Sequence, residues 1–500
     1  MTVTSSFIIA GGASGSGKTT VSIGLMAALK RRGLIVQPFK AGPDYIDPIH
    51  HSIACGRPSY NLDTWMMGVD GVRDAYIKAM SGADIGVIEG VMGLYDGKDG
   101  SNEEGSTAHL AKVLNIGVIL VIDASGMARS IAALVSGFES FDPGVKIAGV
   151  ILNRVGSERH FAILKEALEK YCRAKVIGYM PHVEDLIIPE RHLGLVIPNE
   201  TPMSRGSQRI MKIPLNPPFS KGEIRFSPNS KGENKFPPLE KGGKGGFERL
   251  IALIEKYIDL NEVLKLGTEI TTGVSDGVVF STPSQISDSP RIAVAYDSAF
   301  CFYYSQNLDI LRSLGAEIVF FSPMTSKSLP EQTTGIYLGG GYPELYAGSL
   351  EANSSLRNEI REFAMKGMPV YAECGGLMYL GKYLSDMEGK TFEMAGVFPW
   401  TSKMFSKLRS LGYREVTAKE MCPFLEKGQK IRGHEFHYSD ITPVEETALA
   451  YRITGGKGRF EEGYLYMNTL ASYVHLHFAG NPEFARGFVN KCRMAVMNPK

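Results

Sequence analysis

The stretch Gly12-Ala13-Ser14-Gly15-Ser16-Gly17-Lys18-Thr19 fits the pattern G-x-x-x-x-G-K-[ST], and it stands between the apolar run Phe7-Ile8-Ile9-Ala10 and a helical pattern over about residues 19–32. Strand, glycine loop and helix in that order commit this part of the chain to an α/β unit, with the loop at the carboxyl edge of a parallel sheet. The glycines let successive backbone N–H groups converge on phosphate oxygens at a helix N-terminus, the lysine supplies a point charge, and the threonine hydroxyl can ligate Mg2+. Gly12, Ser14, Gly15, Ser16, Gly17, Lys18, Thr19 and Thr20 are therefore the expected nucleotide-binding residues.

Further apolar runs at 35–39, 85–88, 118–122, 147–152 and 176–179 are bounded by Gly, Asp and Asn and separated by helix-length segments. They read as strands of a parallel sheet buried on both faces. From 214 to 247 the text changes to Pro-Pro, repeated Ser-Lys-Gly-Glu and Lys-Gly-Gly-Lys-Gly-Gly. Such a segment cannot bury enough apolar surface to offset its chain entropy and reads as a disordered, low-complexity insertion. Helical text resumes over 247–266, a Thr/Ser/Gly/Pro linker follows, and a second alternating unit opens at Arg291-Ile292-Ala293-Val294-Ala295-Tyr296. That unit continues through 318–321, 335–338 and 369–372, with β-rich pieces around 411–417, 431–441 and 463–478. The expected organisation is a P-loop domain at 1–205, the insertion at 206–248, helix and linker at 249–288, and a second α/β domain at 289–500.

Composition narrows the partners. With 500 residues, 44% of them hydrophobic, the chain exceeds what one core organises. A net charge of +1 and no long basic run give no footprint for nucleic acid or for a membrane surface, so small-molecule substrates are expected, on a monomer or homodimer. The six cysteines are scattered with no CxxC pair, which fits a reducing compartment. The start of the chain lacks a basic leader and no apolar run is long enough to cross a bilayer, so a cytoplasmic protein is expected.

Acidic residues follow the first-half strands. Glu89 ends the run 85–88, Asp44 and Asp47 lie in Lys40-Ala41-Gly42-Pro43-Asp44-Tyr45-Ile46-Asp47-Pro48, and Asp96 lies in Gly93-Leu94-Tyr95-Asp96-Gly97. All four are expected at the carboxyl edge of the sheet, where open α/β folds bind ligands, with Thr19, Asp47 and Glu89 as the Mg2+ ligands. Asn153 closes Ile151-Leu152-Asn153-Arg154 and is equally a base-reading residue or a turn residue.

In the second half, Val370-Tyr371-Ala372-Glu373-Cys374-Gly375-Gly376 places a cysteine between a strand and a helix. Small residues permit a sharp turn that presents the thiol at the tip of the sheet, and the helix N-terminus is expected to lower its pKa. A nucleophilic thiol needs a base. Tyr473-Val474-His475-Leu476-His477-Phe478 offers two histidines on one face of one strand, with His434 and His437 as competitors. Gly339-Gly340-Gly341, just after the strand 335–338, can present N–H groups to an oxyanion.

The order of these motifs is specific. Lys-Ala-Gly-Pro-Asp-Tyr-Ile-Asp-Pro, Glu-Gly-Val-Met-Gly-Leu-Tyr-Asp-Gly, Pro-Glu-Arg-His-Leu-Gly-Leu (189–195), Gly-Gly-Gly-Tyr-Pro-Glu, Ala-Glu-Cys-Gly-Gly, Gly-His-Glu-Phe-His-Tyr-Ser and Ala-Ser-Tyr-Val-His-Leu-His-Phe together resemble the cobyrinate a,c-diamide synthase family. The resemblance implies a dethiobiotin synthetase-like parallel-sheet domain followed by a class I glutamine amidotransferase-like, flavodoxin-like domain. It implies ATP as co-substrate with Mg2+, and amidation of the a and c carboxylates of a corrin precursor in cobalamin biosynthesis. Cys374 would release ammonia from glutamine, with Gly340 and Gly341 in the oxyanion hole; Asp44, Glu89 and Asp96 would serve magnesium and acid activation; Tyr45 and Ile46 would border the tetrapyrrole. The same motifs fit amidation of nickel sirohydrochlorin or hydrogenobyrinate. Class I enzymes carry a Glu two places after the catalytic His, but here that place is His477, which leaves a dyad; the family's pattern favours His475 as the base, with His477 open.

Overall fold

A computed structural model describes residues 2–183, 244–272, 289–442, 447–456 and 458–497. The expected insertion up to residue 243, the 189–195 motif and linker residues 273–288 lie outside the described residues. The chain forms two compact units, Met1–Thr64 with Val69–Asp276, and Trp65–Gly68 with Gly277–Lys500. No helix among the described residues is long and apolar enough to cross a membrane.

The first unit alternates strands and helices in chain order: β1 (Thr2–Gly11), α1 (Lys18–Arg31), β2 (Val36–Ala41), α2 (Ile46–Cys55), β3 (Tyr60–Leu62), α3 (Gly68–Ala79), β4 (Ile85–Gly93), α4 (Thr107–Leu114), β5 (Val118–Asp123), α5 (Ser130–Phe141), β6 (Ile147–Val155), α6 (Glu158–Tyr171) and β7 (Lys175–Pro181). The strands pair in parallel in the order β3-β2-β4-β1-β5-β6-β7. β1 is central because Phe7, Ile8, Ile9 and Ala10 are all fully buried, as a strand covered on both faces requires. Register sets the site: Glu89 on β4 lies beside Ile9 on one side and Lys40 on the other.

The helical pattern at 247–266 divides into α7 (Lys244–Tyr257) and α8 (Leu260–Leu266). Asp259 causes the break, since its carboxylate accepts the N–H groups of Asn261 and Glu262 and so caps a new helix. Gly24 lets α7 lie close on α1, where any β-carbon would meet Ile254 Cγ1 at 2.7 Å. β8 (Thr268–Thr272) then pairs antiparallel with β1.

The second unit opens with β9 (Arg291–Ala295), α9 (Ser305–Ser313), β10 (Glu317–Phe321), β11 (Gly335–Leu338), α10 (Ala347–Ala352), α11 (Ser354–Met365), β12 (Val370–Glu373) and α12 (Gly375–Leu380). It continues with β13 (Tyr383–Ser385), β14 (Thr391–Glu393), β15 (Thr401–Met404), β16 (Ser410–Ala418), β17 (Lys430–His437), β18 (Ser439–Ile441), β19 (Ala448–Gly455), β20 (Gly458–Tyr466), β21 (Thr469–Ser472), β22 (His475–Leu476) and α13 (Glu483–Met497). One sheet runs β10-β9-β11-β12-β21-β20-β19-β16-β17-β22, and β13, β14, β15 and β18 form a smaller one. β9 to β12 and β21 pair in parallel, and antiparallel strands extend the sheet. Its core gathers Phe300, Leu338, Leu377, Tyr379 and Trp400, with Trp400 stacked on Phe398 at 4.2 Å. The sequence expectation of two α/β domains, the first a parallel sheet, therefore holds.

Candidate active site

In the first unit the glycine loop leaves β1 and enters α1 through Gly15 and Gly17, whose φ values of 76° and 87° are left-handed. Gly17 has a second constraint: a β-carbon there would lie 1.9 Å from Asn153 Nδ2. Asn153 donates to Ser16 O at 2.8 Å, so the structure places it as a brace on the loop. Ser16 Oγ is buried and has no hydrogen-bond partner, an orphaned donor of the kind a phosphate oxygen satisfies. Ser14 and Gly15 are exposed at the loop tip, and Thr20 stands in the first turn of α1.

Four side chains converge on Glu89. Its Oε1 accepts from Lys18 Nζ at 3.0 Å, Thr19 Oγ1 at 2.6 Å and Lys40 Nζ at 3.0 Å, and His51 Nε2 lies 2.6 Å from Oε2. Burial alone would raise the Glu89 pKa, but Lys40, Lys18 and His51 outweigh it and hold the carboxyl well below its ordinary range. Burial likewise pulls Lys40 down, and the carboxylates of Asp47, Glu89 and Asp44 more than reverse it. Lys40 also donates to Asp47, so Thr19, Glu89 and Asp47 share one buried network.

Asp44 and Asp96 are placed differently. Asp44 Oδ1 accepts the N–H of Ile46 at 2.7 Å and of Asp47 at 3.2 Å and thereby fixes the start of α2, carrying Tyr45 and Ile46 beside it. Asp96 is exposed and accepts the Gly93 N–H at 3.0 Å. Lys40 and His51 were not among the sequence candidates. The available signal was a lysine inside β2, every residue of which is buried.

In the second unit Cys374 stands at the turn from β12 into α12 with φ 46° and ψ −100°. A non-glycine residue in that region costs about 1–3 kcal/mol and persists only where surrounding structure imposes it. Three close approaches impose it: Cys374 N donates to Ser472 O at 2.7 Å, Gly376 N donates to Gly339 O at 3.0 Å, and a β-carbon on Gly376 would lie 2.3 Å from Leu338 O. The glycine loop after β11 fits between thiol turn and histidine. Added β-carbons would meet His475 Cε1 at 2.3 Å from Gly340, and Gly341 N at 3.1 Å from Gly375.

The expectation of a lowered thiol pKa is corrected. Burial, joined by the carboxylates of Glu344, Glu373 and Glu435, pushes the Cys374 thiol far above its ordinary value, and the Gly375 N–H only partly opposes this. The resting group is a thiol, so a base must take its proton.

The two histidines are not equivalent neighbours on one strand, since β22 ends at Leu476. His475 lies against Gly340, and its Nδ1 is 3.7 Å from Glu373 Oε2. His477 is fully buried against Tyr304, with ring centroids 4.6 Å apart and neither ring nitrogen hydrogen-bonded. Both nitrogens of His437 are committed, Nδ1 to Ser439 O at 2.6 Å and Nε2 to Glu435 Oε1 at 2.7 Å, while His434 faces the ring of Tyr413.

Burial lowers the His477 pKa to about 3 from 6.5. Above about 6.5 both states hold the neutral ring; as pH falls from about 6.5 toward 3 the unfolded chain takes up the proton first and the folded state is progressively destabilised. His475→Gln is expected to cut glutamine hydrolysis by roughly 10²–10⁴-fold. His477→Phe is expected to retain hydrolysis and to gain up to on the order of 4 kcal/mol of stability relative to wild type at the acid end of that window. Glutamate release and denaturation midpoints across pH check both; loss of hydrolysis in the His477 variant alone would reverse the assignment.

Comparison with known proteins agrees with these two units. Residues 7–196 match the family model described as the CobQ/CobB/MinD/ParA nucleotide binding domain, and residues 291–483 match that of the CobB/CobQ-like glutamine amidotransferase domain. The chain is 40% identical over 489 residues to a cobyrinate a,c-diamide synthase of Priestia megaterium, covering 98% of this chain and 97% of the relative. It is 41% identical to that of Caldanaerobacter subterraneus subsp. tengcongensis, covering 97% and 98%. It is 40% identical to that of Dehalococcoides mccartyi strain CBDB1, covering 96% and 97%. With a nucleotide-binding unit, a glutamine amidotransferase unit and relatives that align from end to end, the chain belongs to the cobyrinate a,c-diamide synthase family.

Proposed function

We propose that this chain converts the a and c carboxylates of cobyrinate into amides, with glutamine as nitrogen donor and ATP as energy source. One observation carries the reading: a single chain holds a loop whose Lys18 and Thr19 meet a buried carboxylate, Glu89, and a strained thiol, Cys374, whose neighbouring glycine loop packs on His475. Those are the parts needed to make a carboxyl group electrophilic and to liberate ammonia.

A free carboxylate is a poor acyl donor, so it must first acquire a leaving group. A substrate carboxylate oxygen attacks the γ-phosphorus of ATP, ADP departs, and an acyl phosphate forms. Gly12, Ser14, Gly15, Ser16, Gly17 and Thr20 cradle the phosphates, while Lys18 and Lys40 offset the charge of transfer. Asn153 keeps the loop in shape through Ser16. Asp44, by fixing the start of α2, orients Tyr45 and Ile46 toward the tetrapyrrole, and Asp96 serves acid activation from the same sheet edge.

Oxygen donors of the kind Mg2+ takes stand together here, with the Lys40 ammonium between Asp47 and Glu89, so Lys40 would have to shift for the ion to meet both carboxylates. The Thr19 hydroxyl lies 2.6 Å from Glu89 Oε1, and Lys40 ties Asp47 to the same carboxylate. Among the described residues no group of three or more His, Cys, Asp or Glu side chains could hold a metal ion, so Thr19, Glu89 and Asp47 would hold Mg2+ together with nucleotide phosphates. When bound, the ion neutralises phosphate charge.

In the second unit His475 accepts the Cys374 proton and the thiolate attacks the glutamine amide carbon. The oxyanion is met by the N–H groups of Gly340, Gly341 and Gly375. The C–N bond breaks, ammonia leaves with the proton returned by His475, and water hydrolyses the glutamyl thioester to glutamate. Ammonia then attacks the acyl phosphate, phosphate departs, and the second carboxylate is treated likewise. The test is stoichiometry: phosphate and ADP should appear in equal amounts, one of each per amide and only when cobyrinate is present, with at least one glutamate released for every amide formed from glutamine. ATP consumption at the same rate without tetrapyrrole would contradict the reading.

A further inference from the structure

The family pattern leaves the second unit without the carboxylate that usually follows the catalytic histidine two places later, because that place is His477. The fold supplies a carboxylate from another direction. Glu373 is the last residue of β12, immediately before the nucleophile, and only 1% of it is exposed. Its Oε1 accepts from Tyr371 Oη at 2.6 Å and from Leu476 N at 3.0 Å; its Oε2 accepts from Tyr337 Oη at 3.1 Å and lies 3.7 Å from His475 Nδ1.

The donors that fix this carboxylate are two phenols and one backbone amide, all neutral. Among the described residues His475 is the basic side chain within ion-pair distance of it. This buried carboxylate is held at three points beside an imidazole nitrogen. The Leu476 bond also ties it to the residue that follows the histidine, so strand position and ring position are fixed by one group.

We propose that Glu373 is the positioning residue of the thiol site, holding His475 with Nδ1 protonated so that Nε2 takes the Cys374 proton, and offsetting the positive charge of the imidazolium that results. It replaces, from the residue before the nucleophile, the carboxylate missing after the histidine. The 3.7 Å separation is an ion-pair distance that a bound substrate can tighten to a hydrogen bond. The step it supports balances: the S–H proton moves to Nε2, the S–C bond forms, the C–N bond breaks, and the same proton leaves with ammonia. The proposal rests on the glutaminase reading of this unit and is tested separately from it.

Glu373→Gln keeps the size and one acceptor oxygen but removes the charge. Glutamine hydrolysis is expected to fall about 10²–10⁴-fold in kcat with the KM for glutamine changed by less than a few-fold, since the group touches the base and not the substrate. Glu373→Asp is expected to recover part of the lost kcat because it restores the charge at a shorter reach. Amidation from free ammonia, which does not use this unit's chemistry, reports in each variant that the chain is folded. A wild-type kcat in Glu373→Gln, or an Asp variant no better than Gln while both stay folded, overturns the assignment of Glu373 and leaves the glutaminase reading standing. If wild type itself releases no glutamate, it is the parent reading that fails.

Discussion

Cys374→Ser is expected to abolish glutamine-supported amidation, by about 10³-fold or more, while amidation from high concentrations of free ammonia continues. The size follows from chemistry: an alkoxide is far harder to generate than a thiolate, and the buried thiol already depends on a base for its proton. The sparing of ammonia follows from division of labour, because free ammonia enters after the step that Cys374 performs. Serine also fits the turn no worse than cysteine, so the φ of 46° gives no reason for the variant to misfold. Glutamate release and amide formation, measured side by side with each nitrogen source, check it. Loss of both activities in a folded variant would refute separate sites.

Lys18→Ala is expected to lower amidation from either nitrogen source by roughly 10²–10³-fold, the usual cost of removing a preorganised charge at a phosphoryl-transfer site. Glutamine hydrolysis should persist. Lys18 is a partner of Glu89, yet Lys40, Thr19 and His51 remain on that carboxylate, so the buried charge is not stranded. ADP formation with ammonia as nitrogen source is the measurement, and wild-type turnover would remove Lys18 from the phosphate site.

Much of this architecture is written locally. β1, β2 and β4 to β7 appear in the sequence as apolar runs because parallel strands covered on both faces need largely apolar side chains, Gln37 and Lys40 of β2 being exceptions. β3, with only Tyr60, Asn61 and Leu62, and the threonine-rich β8 carry no such run. The helical text at 247–266 gave no warning of its break because one capping carboxylate, Asp259, makes it.

The sites divide in the same way. Gly17 and the Cys374 turn are legible because left-handed backbone demands glycine or a strained exception with small neighbours. Lys40 and His51 are illegible as site residues because their shared partner, Glu89, is distant in sequence and arrives through β4. The thiol pKa runs opposite to the expectation because burial beside three carboxylates outweighs one N–H at the head of a helix that is a turn and a half long. His475 and His477 parted because the strand ended between them.

The most direct measurement is to incubate the full chain with ATP, Mg2+ and glutamine labelled with nitrogen-15 in its amide, offering cobyrinate, hydrogenobyrinate and nickel sirohydrochlorin in parallel, and to count labelled amides by mass. The account predicts that cobyrinate gains an amide at both the a and c positions, each carrying the label, and that the Cys374→Ser chain transfers none. A cobyrinate that gains no amide, or gains amides whose nitrogen is unlabelled, would contradict it.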